Sequence, residues 1–224
     1  MNKEDTSLIR DFQASLMQEK IVKILKKHQK SITYLLSALL IIVISWNGYA
    51  IYVKAQAQKY STILHKALLN EQKGETQKAV EALKEVVDSS APASVKQIAM
   101  LKYAAYLANS GKEDEAKEIY LNVNSGSKFD AYFKEYAGLN AAKILINSNK
   151  IDQARALISK IEKKSKILTY YIAEQKGLLE WQDKNYQLAA QIFEDLAKNP
   201  EAQASVKQRA ADMVDIYNTK YAKK

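Results

Sequence analysis

The chain has 224 residues, no cysteine, and 34 Lys and Arg against 25 Asp and Glu, a formal net charge of +9. Without cysteine there is no disulfide, no thiol nucleophile and no cysteine metal ligand. The two histidines, His28 and His65, lie on either side of a long uncharged stretch and cannot share a metal ion. Six glycines and two prolines beside plentiful Ala, Leu, Lys, Glu and Gln favour helix nearly throughout.

Residues 1–30 read as a basic amphipathic head on the cytoplasmic side. Leu8, Phe12 and Leu16, then Ile21, Ile24 and Leu25, recur at three- to five-residue steps with charge between them. Lys20, Lys23, Lys26, Lys27 and Lys30 precede the uncharged stretch, and Lys54, Lys59 and Lys66 follow it. Short basic flanks stay cytoplasmic while long domains translocate largely regardless of charge, so these five lysines serve as the topology signal. The same cluster attracts anionic lipid, at about 1 kcal/mol per charge near the surface.

Ser31 to Val53 carries no charge, running through Leu40 to Trp46, Tyr49 and Tyr52 at its far end. At about 1.5 Å per residue such a helix reaches roughly 35 Å, enough to cross a hydrocarbon core of roughly 30 Å. The rings near its end suit the headgroup level. Ala55-Gln56-Ala57 offers a cleavage-like site. Signal peptides, however, have apolar cores of about 7 to 15 residues, so a retained anchor is expected.

From 54 to 224 the chain repeats itself. Ala79, Ala116, Ala154 and Ala189 align; four residues after them stand Leu83, Tyr120, Ile158 and Phe193, and twelve before them Ala67, Ala104, Ala142 and Gly177. Five before them come Gly74, Gly111, Asn149 and Lys184, the first three of types that tolerate a left-handed helix end. Ala93-Ser-Val-Lys-Gln97 recurs as Ala204-Ser-Val-Lys-Gln208. A period near 34 built of two helices, a small residue facing a bulky plug, is tetratricopeptide-like. The expected fold is all-α: a head helix, a long helix running from the membrane into the first repeat, then a solenoid of about four helix pairs. Asn199-Pro200 is expected to open a capping helix from Glu201 to Tyr221.

No catalytic constellation is present: no glycine-rich phosphate loop, no H-E-x-x-H and no G-x-S-x-G. Glu113-Asp114-Glu115 suits a helix N-terminus, where carboxylates meet the positive dipole end. Ser159-Lys160 and Ser165-Lys166 read as solvated. No enzyme activity, cofactor, metal, nucleic acid or small-molecule substrate is expected. Seven residues before each aligned alanine stands an amide, Gln72, Asn109, Asn147 and Gln182, a row expected to face a partner-binding groove. Tyr136, Tyr171 and Trp181 join it. The competing reading has these amides capping the last helical turn. Leu101, Leu139 and Glu174 stand where carboxylate-clamping repeats would carry basic residues.

The layout resembles the YfgM-like family of ancillary SecYEG translocon subunits. The resemblance is carried by Asp11-Phe12-Gln13, the lysines from Lys20 to Lys30, Trp46-Asn-Gly-Tyr49, and Gln175-Lys-Gly-Leu-Leu179 through Pro200. It implies a single-span protein of the bacterial inner membrane, N-terminus inside, with its repeat domain in the periplasm. Its implied partners are the lipid bilayer, the Sec translocon, a membrane-anchored periplasmic chaperone and emerging secreted chains. The alternative function is envelope-stress control through the cytoplasmic head.

Overall fold

The computed structural model describes residues 3–163, 165 and 167–222, with head side chains described at Met17, Lys20, Val22 and Lys23 and then from Lys26 onward. The periodic residues Leu8, Phe12, Leu16, Ile21, Ile24 and Leu25 lie outside the described side chains, as does Lys166. The described residues form helices and connecting turns: α1 (Lys3–Gln72), α2 (Thr76–Asp88), α3 (Ala93–Asn109), α4 (Glu113–Ser125), α5 (Ala131–Asn147), α6 (Ile151–Glu162), α7 (Thr169–Gln182), α8 (Tyr186–Lys198) and α9 (Ala204–Lys220). They fall into two units, Met1–Ala55 and Gln56–Lys224.

In the first unit the head and the span, expected as two helices, belong to the single helix α1. One stretch of α1 is long and apolar enough to cross a membrane, with mean hydropathy reaching 1.8 and no burial within the chain. Three of its polar side chains bond to their own helix. Thr33 donates to the Gln29 carbonyl at 2.9 Å, Ser37 to Thr33 at 2.8 Å and Asn47 to Val43 at 2.9 Å. Hydrocarbon supplies no partner for these groups, so satisfying them locally keeps the span compatible with lipid.

The second unit follows from two kinds of helix. Helices α2, α4, α6 and α8 each bury one stripe at steps of four and then three: Ala79, Leu83, Val86; Ala116, Tyr120, Val123; Ala154, Ile158, Ile161; Ala189, Phe193, Leu196. That spacing places three side chains on one face of a helix. Helices α3, α5 and α7 are buried on more than one side and pack between their neighbours. The core runs through the stack as linked clusters. Tyr60, Leu64 and Ala67 of α1 meet Leu83 and Val86 of α2, and later clusters pair Ala104 with Tyr120 and Ala142 with Ile158.

Each pair turns by the same device. Gly74, Gly111, Asn149 and Lys184 have φ of 75°, 78°, 57° and 66°. The next residue's N–H reaches back to the helix: Glu75 to Asn70, Lys112 to Leu107, Lys150 to Leu145 and Asn185 to Glu180, at 2.8–2.9 Å. This is the Schellman closure, which satisfies carbonyls left open at the helix end. Lys184 adopts the left-handed conformation without being a residue type that favours it.

A second row joins each pair from α3 onward to the element that follows. Gln97 donates to the Asp130 carboxylate at 2.6 Å and accepts the Asp130 N–H at 3.0 Å. Glu135, at the same repeat position, accepts from Ser165 at 2.7 Å and from the Leu168 N–H at 3.1 Å. Tyr170, again equivalent, donates to Glu201 at 2.8 Å. Three different polar groups thus fasten the start of a helix to the loop that opens the next pair.

The expected helix start at Asn199-Pro200 is corrected. Asn199 ends α8, and its side-chain oxygen accepts the Glu201 N–H at 2.9 Å, closing a local turn. Helix α9 begins at Ala204, just as α3 begins at Ala93 in the other copy of Ala-Ser-Val-Lys-Gln. The acidic triplet does open a helix, forming the first turn of α4.

Candidate functional site: a groove across α5, α7 and α9

Helix α5 presents Tyr132, Tyr136, Leu139, Asn140 and Lys143 to a cavity of about 460 Å³, and α7 presents Tyr171, Glu174, Gln175 and Leu178. Steps of three and four residues put each set on one face of its helix. Leu168 borders the cavity before α7, and Arg209 of α9 closes its end. The Tyr132 and Tyr136 rings stack with centroids 6.3 Å apart, and both stand well exposed.

The end wall is an ion pair. Arg209 donates from Nε and Nη2 to the two Glu174 oxygens at 2.5 and 2.7 Å. Glu174 is buried, and these hydrogen bonds push the Arg209 guanidinium further above its ordinary range. A similar clasp holds α6 to α7, where Arg155 pairs with the buried Glu180 and donates to Asp183 at 2.7 Å. Burial pushes the Glu180 carboxyl up, but hydrogen bonds from Arg155 and Asn185 outweigh it and hold the group below the usual range.

Of the seven residues expected to line a groove, the structure brings Tyr136 and Tyr171 together in this cavity. Gln72, Asn109, Asn147 and Gln182 are the last residues of α1, α3, α5 and α7, exposed beside the left-handed turns. Trp181 packs elsewhere. Its ring meets Tyr186 at 5.2 Å and Tyr221 at 5.5 Å, while Tyr186 and Tyr221 stack at 4.0 Å, so it secures the end of α9. Ser165, expected to be solvated, is instead half-buried and donates to the buried Glu135.

Sequence reasoning missed Tyr132, Asn140, Lys143 and Arg209. The signal for Arg209 was present. Extending the Ala-Ser-Val-Lys-Gln echo by one residue aligns Arg209 with Ile98, the repeat position that Tyr136 and Tyr171 also occupy.

Stacked helix pairs with a side-chain-lined groove, following a helix apolar enough to span a membrane, define a helical-repeat scaffold. The chain belongs to the tetratricopeptide repeat-like domain family, whose model matches residues 23–177. That match takes in the apolar span and ends within α7. No curated protein and no solved structure matches the chain. Domains of this kind generally mediate protein–protein interaction.

Proposed function

We propose that this chain is a membrane-tethered docking scaffold working beside the Sec translocon. In this reading residues 1–30 are cytoplasmic, Ser31 to Val53 cross the inner membrane of a bacterium, and residues 54–224 stand in the periplasm. The groove across α5 and α7 holds a protein: a translocon-associated, membrane-anchored chaperone or an emerging secreted chain. The observation that carries it is the pairing, on one chain, of an uncharged span with a repeat stack whose groove exposes paired tyrosines. The lysine excess before the span and the exposed Trp46, Tyr49 and Tyr52 rings at its far end support the orientation. The YfgM-like resemblance supports the choice of partners. Tethering confines both partners to one surface, which raises their effective concentration so that modest groove contacts suffice.

Affinity purification from native membranes in mild detergent tests it. Translocon subunits and the anchored chaperone are expected with the wild-type chain and are expected to fall away when Tyr136 and Tyr171 are both changed to Ala. Recovery of neither, or equal recovery with both chains, contradicts the reading. Protease added to spheroplasts is expected to digest the repeat domain.

A further inference from the structure

The repeat domain holds a second cavity, of about 420 Å³, where the end of α4, the first turns of α5 and the last turn of α6 meet. Phe129 and Ile161 supply its apolar floor, and Lys134 and Lys160 its charged rim. The floor is tightly built. A methyl group placed on Gly138 would lie 2.5 Å from Ile161 Cδ1 and 2.6 Å from Asn124 Nδ2, so only glycine lets α5 come this close.

Two lysines and one carboxylate, Glu135, line the cavity. Lys128, next to Phe129, and Lys163, two residues after Ile161, are exposed chain neighbours of the lining residues. The Glu135 carboxylate is buried and accepts from Ser165 and the Leu168 N–H, and Asp130 takes Gln97 at 2.6 Å; both keep their charge but are engaged within the chain, while Glu162 pairs with Lys176 at 2.8 Å. Among the described residues Lys128, Lys134, Lys160 and Lys163 enter no ion pair. Asn124 and Ser125 already donate to the Lys134 and Leu121 carbonyls, so the ammonium groups are what the rim offers a ligand. Lys160, at the end of α6, complements that helix's dipole, whereas Lys134, in the first turn of α5, opposes its own.

We infer that this cavity docks an acidic segment of a partner protein, a carboxylate between Lys134 and Lys160 and an apolar side chain on Phe129 and Ile161. A recessed apolar floor suits one polypeptide side chain and not the flat surface of a bilayer. The inference rests on the reading of this domain as a protein scaffold and adds a contact outside the groove. Lys134 and Tyr136, two residues apart, point from far sides of α5 into the two cavities. One helix therefore serves both.

The test uses the full chain in nanodiscs of neutral lipid and a fluorescein-labelled, glutamate-rich peptide carrying one leucine. Anisotropy is expected to show binding that weakens about tenfold in the Lys134→Gln/Lys160→Gln double variant. It is expected to hold within about twofold in Lys112→Gln/Lys150→Gln, which alters the turns instead. Equal losses in both double variants, or no loss in the first, overturn the inference. So does binding to phosphatidylglycerol vesicles that depends on Lys134 and Lys160 without any binding of the peptide. Tyr136→Ala is expected to leave peptide binding intact; if it abolishes binding, the peptide sits in the groove and only this inference falls. Peptide binding that persists while partner recovery proves independent of Tyr136 and Tyr171 removes the groove reading instead.

Discussion

A methyl group built on Gly177 would sit 2.7 Å from two carbons of the Phe193 ring. Glycine is thus the complement of the Phe193 plug, as Ala67, Ala104 and Ala142 are of Leu83, Tyr120 and Ile158. Gly177→Ala forces a fully packed ring to move and is expected to destabilise the domain by about 1 to 3 kcal/mol. Adding Phe193→Leu is expected to recover part of that loss. Urea unfolding in a Trp46→Phe background reads both, because Trp181 is then the sole tryptophan.

Lys184 holds φ of 66° at a turn where two of its three counterparts are glycine. Lys184→Gly is expected to raise stability by about 0.5 to 1 kcal/mol through relief of left-handed strain. Gly111→Lys at the equivalent turn is expected to lower it by a similar amount. The same urea titration compares them.

Tyr120 is buried, and burial pushes its hydroxyl from the ordinary value near 10 up to about 12. Between those values the unfolded chain gives up this proton and the folded chain keeps it. Stability is therefore fully present below pH 10 and falls as pH rises through the window, by about 2 to 3 kcal/mol in all. Tyr120→Phe is expected to remove that share of the alkaline loss while the two proteins track in parallel below pH 10. Unfolding free energies measured from pH 8 to 12 check it.

Breaking the Glu174–Arg209 pair leaves a buried carboxylate without its cation. Arg209→Leu is expected to destabilise by about 1 to 3 kcal/mol, discounted because the arginine itself is half exposed. Glu174→Gln on that background is expected to restore most of it. Hydrogen exchange should show the loss concentrated in α9.

The stack was legible because its rules are local and steric. A small residue must face each plug, and a left-handed residue must close each first helix, so Ala67 to Gly177 and Gly74 to Asn149 stand in rows. Lys184 hides within that row because lysine has no steric preference for the conformation. The fastening row of Gln97, Glu135 and Tyr170 is invisible to alignment by type, since each matches a different loop. In the groove, Tyr136 and Tyr171 share a phase that sequence can register. The amides share a phase too, but theirs is the final residue of each helix, beside the turn and away from the cavity lining.

The central claim is tested most directly by site-specific photo-crosslinking in intact cells, with the crosslinker in place of Tyr136 in the groove or of exposed Gln153 on α6. The account predicts a discrete adduct from position 136, containing a translocon or periplasmic chaperone component, and none from position 153. No adduct at 136, or the same adducts from both positions, contradicts it.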